Sequence, residues 1–347
     1  MKLNIFGLFV SDISDILKSF NIESYRAKQI AEWMYKKNIT KFSEMTNLSL
    51  EIREILEKNL TIDKILLKDT LISKDCKTSK FLLEYKDDIA VETVLMRQAY
   101  GNSVCVSTQA GCNMGCVFCA STLNGMVRNL TAGEIFAQVL YINNLLSQSN
   151  EKVNNIVIMG SGEPLANYKN VISFIRLCHE SYSLNLSYRS ITISTAGIVP
   201  MIKELIKEQL PITLSISLHA PNNTIRSRIM PINDKYDIVS VIDAGKEYGN
   251  KTSRRVTYEY ILIDNINDSA ENALELASLL KGQLANVNLI PINPVLERGL
   301  NRPSHKKIKD FERILLSKNI NVTLRKEMGK DIQAACGQLR NKHIKAY

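Results

Sequence analysis

From Val104 onward the sequence alternates between short β-branched runs and helical stretches, and that alternation most restricts the fold. The runs are Val104–Thr108, Asn155–Met159, Ser190–Ser194, Ile212–Leu218, Val256–Ile263, Val287–Ile290 and Asn321–Arg325. Between them, Ala132–Leu146, Tyr168–His179, Val199–Lys207, Val239–Tyr248, Asn272–Leu280 and His305–Ser317 carry apolar residues at helical spacing. Strands separated by helices of about 10–15 residues predict a parallel sheet with right-handed crossovers. Six such units, rather than eight, predict an α/β fold with an open, partial barrel. In parallel α/β folds the chemistry collects at the C-terminal strand ends.

The segment ahead of this pattern differs. Ser11-Asp12 is expected to cap a helix carrying Ile13, Ile16, Leu17 and Phe20. Tyr25 to Lys37, with Ile30, Trp33 and Met34 inward, predicts a second helix, and Leu48 to Leu60 a third. Residues 64–98 shift to strand-like runs such as Ser79–Tyr85 and Ala90–Met96, the pattern of an antiparallel ribbon. The expected organisation is a helical unit over 1–63, a β extension over 64–98 and the barrel over 99–347. Leu3–Val10 is apolar but runs directly into Asp12 and Asp15, so it is expected to pack rather than to act as a signal peptide. No apolar run approaches the ~18 residues of a membrane span, and a cytoplasmic location without a membrane partner is expected.

The net charge of +9 is concentrated at one end. Residues 298–347 hold thirteen Lys or Arg against four Asp or Glu, so the rest of the chain is near neutral. A basic end on a neutral body suits a polyanion, because Lys and Arg displace phosphate counterions; a solvated basic surface suits it equally. Over residues 1–90, fifteen basic residues face fourteen acidic ones, and charge says nothing about RNA there. Seven cysteines, an odd number, argue against a disulfide framework.

Three of them cluster. Cys112, Cys116 and Cys119 have the spacing Cys-x3-Cys-x2-Cys on a loop after the first strand of the repeat. Thiolates spaced so closely can wrap one corner of an iron–sulfur cube, and the absence of a fourth cysteine at motif spacing would leave one iron open to substrate. The competing reading is a zinc site with Cys105 or a distant cysteine as fourth ligand, although zinc sites usually pair two Cys-x2-Cys knuckles.

The triplet resembles the signature of the radical S-adenosylmethionine (radical SAM) superfamily. Gly160-Ser-Gly162-Glu163-Pro164, one βα unit later, resembles that superfamily's segment for the methionine amine. A finer resemblance rests on Val91-Glu92-Thr-Val94, Cys105-Val-Ser-Thr-Gln-Ala-Gly-Cys112, Arg128-Asn-Leu-Thr-Ala-Gly-Glu134, Ser194-Thr-Ala-Gly197, Ser217-Leu-His219-Ala-Pro221, Met230-Pro-Ile-Asn233 and Ala335-Cys336-Gly-Gln-Leu339. In this order they resemble the dual-specificity RNA adenine-C2 methyltransferases, over about residues 20 to 340. The resemblance implies a partial (βα)6-type radical SAM barrel with an N-terminal accessory domain that helps bind RNA. It implies a 4Fe-4S cluster on Cys112, Cys116 and Cys119, and two S-adenosylmethionine molecules consumed per methylation. It also implies an S-methylated Cys336 that forms a covalent RNA adduct, Cys105 to resolve the adduct and Glu92 as acid–base group. Gly162, Glu163, Ser194, Ser217, Leu218, His219 and Asn293 match the family's S-adenosylmethionine contacts. Implied partners are 23S rRNA, tRNA and an electron donor such as flavodoxin or ferredoxin, with a monomeric enzyme expected.

Two rival readings differ in their consequences. Adenine-C8 methyltransferases share the triplet, both further cysteines and the fold, although Val287-Asn-Leu-Ile-Pro-Ile-Asn-Pro294 and Met159-Gly-Ser-Gly162 resemble the C2 branch more. A non-enzymatic RNA-binding protein with a structural metal would use the cysteines and the basic end but leave Glu92, Cys105 and Cys336 idle.

Overall fold

The computed structural model describes residues 2–339. The chain opens with strand β1 (Leu3–Asn4) and helices α1 (Val10–Lys18), α2 (Arg26–Tyr35) and α3 (Leu50–Asn59); β2 (Leu60–Thr61) then returns to pair with β1 in parallel. Helix α1 begins before the expected Ser11-Asp12 cap, and Phe9 occupies the cap position. Asp12 lies inside the first turn, where its carboxylate reaches back to accept from the Phe9 N–H at 3.0 Å. A carboxylate at the third helical position can satisfy an otherwise orphaned amide in this way. The Tyr35 hydroxyl accepts from Gly7 N at 3.0 Å and donates to the Leu8 carbonyl at 2.7 Å. Its ring stands edge-on to Phe6 and to Phe136, which anchors the helical unit on the barrel's outer layer.

Strands β3 (Leu66–Ile72), β4 (Thr78–Glu84), β5 (Ala90–Gln98) and β6 (Gly101–Cys105) form an antiparallel meander. A small antiparallel pair, β7 (Gln109–Gly111) and β8 (Met126–Asn129), then frames the cysteine loop. The parallel repeat follows: α4 (Ala132–Ser147), β9 (Val153–Ile158), α5 (Tyr168–His179), β10 (Ile191–Thr195), α6 (Val199–Lys207) and β11 (Thr213–Ser217). It continues through α7 (Asn223–Ile229), α8 (Ile238–Thr252), β12 (Val256–Leu262), α9 (Ala270–Leu279), β13 (Ala285–Pro291), α10 (His305–Ser317) and β14 (Asn321–Leu324). Among the described residues these strands make one ten-stranded sheet in the order β14-β13-β12-β11-β10-β9-β6-β5-β4-β3. From β6 to β14 the pairing is parallel, and the sheet is open, with β14 and β3 as edges. The ribbon read from residues 64–98 is therefore continuous with the barrel through β5 and β6.

The first strand of the repeat ends at Cys105, earlier than its β-branched run suggests. Thr108 and Gln109 donate to the Ser161 carbonyl instead of continuing a ladder. A fully buried glutamine enforces the turn. Gln138 on α4 accepts from Ser107 N at 2.9 Å and from the Thr93 hydroxyl at 2.8 Å, while its amide nitrogen donates to the Ser107 carbonyl at 2.9 Å. Both backbone groups of Ser107, away from water, are thus satisfied by one side chain. Gln138→Leu keeps the volume but orphans those groups, each at about 1–3 kcal/mol. Denaturant unfolding of this variant should show a loss of about 2–5 kcal/mol; a loss below about 1 kcal/mol would mean that the turn does not depend on Gln138.

Candidate active site

The cysteine loop hangs between β7 and β8. Cys112 N donates to the Gly125 carbonyl at 3.0 Å, and Met126 N donates to Asn113 Oδ1 at 2.9 Å. Gly111 has φ +85, and a Cβ there would fall 1.9 Å from the Gly125 oxygen, so only glycine closes this hairpin. Cys112 and Cys116 are buried, Cys119 is half-buried, and all three are free thiols. The Gly162 amide points at the Cys112 sulfur, joining the loop after β9 to the cysteine loop. Burial, first among the causes, pushes all three thiols up, Cys112 to about 12; charge within the triplet adds to it for Cys112 and Cys116, and the nearby Cys336 adds to it for Cys119. Iron would reverse that preference, because a coordinating thiol is deprotonated outright.

A buried cation backs the loop. Arg226 on α7 is wholly inaccessible to water and sits where its charge favours a Cys116 thiolate. Its guanidinium donates to the carbonyls of Ala196 (2.7 Å), Tyr236 (3.1 Å) and Leu218 (3.2 Å), and to Asn233 Oδ1 (3.0 Å). Burial lowers it to about 10, which leaves it charged at neutral pH. The sequence hid this residue inside a short helix, and the neighbouring Met230-Pro-Ile-Asn233 segment was its only signal.

The remaining strand-end residues surround the same mouth. Glu163 is buried and accepts from the Thr195 hydroxyl and Ala196 N, both at 2.7 Å, and from Leu165 N at 3.0 Å; burial raises its carboxyl above the usual range. Ser194 stands opposite Ser215 in the β10–β11 register. Ser217 closes β11, and Leu218 and His219 both donate through their amides to the Glu259 carbonyl. His219 has φ +59, and its Nδ1 accepts from Ile261 N at 3.0 Å, which puts the proton on Nε2. Burial and the Arg226 charge hold it down at about 3, so the imidazole is neutral at physiological pH. The Phe118 ring, in the cysteine loop, meets it edge-on at 4.8 Å. Asn293 donates to the Cys336 carbonyl at 3.3 Å.

No group of three or more Cys, His, Asp or Glu among the described residues converges to hold a single metal ion. The thiols of an iron–sulfur cube bind separate irons and need no common focus. Asn293 Oδ1, Ser161 Oγ and Gln338 Oε1 around this mouth are buried without partners, as expected where a polar ligand completes the site. Three clustered free thiols and these orphaned atoms together fit a cluster with a bound polar molecule. The zinc reading had Cys105 as a candidate fourth ligand, and Cys105 packs elsewhere.

Cys105 and Cys336 meet from opposite ends of the chain. The antiparallel register sets Cys105 opposite Val94, and Val94 opposite Lys80, so that Glu92, Val94, Cys105 and Lys80 share one sheet face. Val94, Cys105, Ala334 and Leu339 form one buried apolar cluster. Cys105 and Cys336 both line a cavity of about 30 Å³, together with Arg325 and Met159. Burial raises Cys105 to about 12, the nearby Cys336 adds to this, and the Arg325 guanidinium opposes it. Cys336 opens on the barrel lumen, a space of about 1000 Å³, yet protein encloses it enough to raise its thiol; Arg325 again opposes. Arg325 lies 3.7 Å from Glu259, a buried carboxylate in the lumen held by Asn288 (2.8 Å) and Ser215 (3.2 Å). A lone Glu inside the apolar run Val256–Ile263 was the sequence signal for Glu259, and it was missed. The Cys336 loop rests on the cysteine loop: Ala120 N donates to the Gly337 carbonyl at 2.8 Å and the Ser121 hydroxyl to the Leu339 carbonyl at 3.0 Å.

The basic end is less free than its charge suggests. Lys307 pairs with Asp264 and Asp268, Lys309 with Glu312, Arg313 with Asp310, and Arg302 and Lys330 with Glu327. Lys306, Lys318 and Lys326 have no ion pair among the described residues, and Arg340, Lys342 and Lys345 lie outside those residues. Of the N-terminal aromatics, Tyr35 is core, Trp33 is half-buried beneath the Lys37 ammonium, and Tyr25 is exposed.

Residues 106–277 match the radical SAM superfamily, and residues 3–62 match the ribosomal RNA large subunit methyltransferase N-terminal domain. A protein of Symbiobacterium thermophilum described as "Probable dual-specificity RNA methyltransferase RlmN" is 49% identical over 97% of this chain and 91% of its own length. A Bacillus subtilis protein of the same description is 48% identical over 98% of this chain and 93% of its own. The crystal structure of a radical SAM methyltransferase from Sphaerobacter thermophilus superposes with a TM-score of 0.94 at 41% identity, covering 98% of this chain and 100% of that one.

Replacing Cys112, Cys116 or Cys119 with Ala should abolish the brown 4Fe-4S absorbance and the iron content of the anaerobically purified protein; a full cluster in any single variant would remove that cysteine from the ligand set. Neutralising Lys306, Lys318 and Lys326, which have no ion pair among the described residues, should flatten the salt dependence of RNA binding by ~0.7–0.9 for each phosphate that the variant no longer neutralises. An unchanged slope would leave those charges as a solvated surface.

Proposed function

The chain belongs to the RlmN family of radical SAM RNA methyltransferases, and from that premise we propose that it methylates C2 of an adenosine in 23S rRNA and of the adenosine 3′ of the anticodon in some tRNAs, through an S-methylated Cys336 and a covalent RNA adduct. The observation that carries this reading is the shared cavity of Cys105 and Cys336 beside the cysteine loop. Adenine C2 is an electron-poor sp2 carbon, for which polar methyl transfer from a sulfonium is unfavourable. Two thiols at one cavity, neither in the triplet, are what a stepwise route needs.

Cys112, Cys116 and Cys119 would hold the cluster, and Gly162, Glu163, Ser194, Ser217, Leu218, His219 and Asn293 would hold S-adenosylmethionine; bound there, the pair supplies an oxidant able to take hydrogen from an unactivated C–H bond. Cys336 first accepts a methyl group from one S-adenosylmethionine and gives up its thiol proton. After loss of a hydrogen atom from that S-methyl group, its carbon bonds C2 and Cys336 carries the RNA. Glu92 takes the C2 proton, and the unpaired electron that the methylene carbon brought to the ring leaves to a one-electron acceptor, for which the cluster or its redox partner would serve, so that the adduct is a closed-shell thioether. Cys105 then attacks the Cys336 sulfur: an S–S bond forms, the bond from sulfur to the new methyl carbon breaks, and its electron pair takes up a proton on the RNA side. Only a thiolate attacks in this way, and Arg325 is the cation that favours that form for both thiols. An electron donor of the flavodoxin or ferredoxin class and a cytoplasmic, monomeric enzyme complete the proposal. Among the described residues no helix is long and apolar enough to cross a membrane.

The two lone cysteines should fail at different steps. Cys336→Ala should retain its cluster but methylate neither RNA nor itself, whereas Cys105→Ala should accumulate protein crosslinked to RNA through Cys336. Mass spectrometry of the protein and of RNA nucleosides reads both outcomes and distinguishes a C2 from a C8 methyl group. RNA methylation by Cys336→Ala, or turnover of Cys105→Ala without trapped RNA, would sink the assignment.

A further inference from the structure

Lys80 is an anomaly in the β extension. It is 7% exposed, although a lysine has every reason to reach water. Its ammonium lies 2.9 Å from Glu92 Oε1 and donates to the Gln333 carbonyl at 3.1 Å. Both contacts follow from the fold. Lys80 pairs with Val94 and Glu92 with Leu82, so Lys80 and Glu92 are diagonal neighbours on one face of β4 and β5. Gln333, with φ +52, belongs to the turn just before Cys336. The same hairpin holds that turn at two further points. Lys74 N donates to Asp331 Oδ2 at 2.9 Å, and Gly329 lies against Thr78 so closely that a Cβ would fall 2.7 Å from the threonine methyl. One ammonium therefore joins a carboxylate on the extension to the backbone of the loop that carries Cys336.

We propose that Lys80 is a positioning residue, which sets the Glu92 carboxylate and the Cys336 loop in one arrangement through a single buried ammonium. The proposal rests on the reading of Glu92 as the group that takes the C2 proton. The bridge fixes Glu92 relative to the sulfur that carries the adduct, so its loss slows proton removal and release, the steps after RNA has bonded to Cys336. Methylation of Cys336 itself does not involve Glu92.

The test uses the reconstituted full-length holoprotein with a substrate RNA and compares Lys80→Met, Lys80→Arg, Glu92→Gln and the Lys80→Met/Glu92→Gln double variant. Cluster absorbance and the S-methylation of Cys336, read by mass spectrometry, report folding and the first step. Crosslinked RNA and its release rate report the later ones. Lys80→Met is expected to keep its cluster and its S-methylated Cys336 and to release RNA at least ten-fold more slowly, with crosslinked protein accumulating. Lys80→Arg, which keeps the charge and the donors, should restore release to within a few-fold. The double variant should be no slower than Glu92→Gln, because a residue acting through another adds nothing once its partner is gone. Trapping by Glu92→Gln together with wild-type release by Lys80→Met would overturn the positioning role alone. Wild-type release by Glu92→Gln would overturn the proton-removal reading and this proposal with it. Additive slowing in the double variant, or loss of cluster in both Lys80→Met and Lys80→Arg, would leave Lys80 as a structural residue and sink the idea.

Discussion

Everything at the site depends on β6 being paired on both edges in opposite senses. One edge takes β9 in parallel and starts the barrel; the other takes β5 antiparallel and starts the extension. Because side chains alternate along every strand, this double register leaves no choice about which residues share a face. Cys105, the last residue of β6, is placed over the barrel mouth with Val94 beside it and Glu92 two residues along β5. A slip of one residue in the β5–β6 pairing would send Glu92 and Val94 to the opposite face. The Gln138 clamp on Ser107 ends the strand just past Cys105 and holds that register against the outer helix.

The second dependency is electrostatic. The mouth gathers three thiols, two further thiols and the carboxylates of Glu163 and Glu259, all of which burial drives towards their neutral forms. Two guanidiniums, the buried one of Arg226 and the half-buried one of Arg325, counter this. Arg226, saturated by carbonyls from the ends of the neighbouring strands, backs the cysteine loop. Arg325, just past the end of β14, lies between Glu259 and the Cys105–Cys336 pair. The carbonyls around Arg226 and the carboxylate beside Arg325 hold each cation in place, so the positive charge at each thiol group is part of the scaffold. This division of the mouth into two thiol groups, each with its own cation, fits a chemistry in which one group binds a cluster and the other makes and breaks bonds to carbon.

What the sequence by itself determined is the repeat and the chemistry-bearing residue types. β-Branched runs interleaved with amphipathic helices specify parallel strands with crossovers, because periodicity is local and survives without tertiary context. Cys112, Cys116 and Cys119 were legible for the same reason, being ten residues or fewer apart on one loop. The Ser11-Asp12 cap was misplaced because Asp12 serves equally well from inside the helix, a choice of one or two residues that sequence does not resolve. Arg226 and Glu259 passed unseen because a charged residue in an apolar stretch is meaningful only when its buried partners are known. That Cys105 and Cys336 come together was implied by the family resemblance; only the tertiary structure decided that they share a small cavity with Arg325 and Met159, and that Lys80 joins Glu92 to the loop that carries Cys336. Those contacts are set by strand register and by the return of the chain end over the mouth, which are non-local and leave no pattern in the intervening residues.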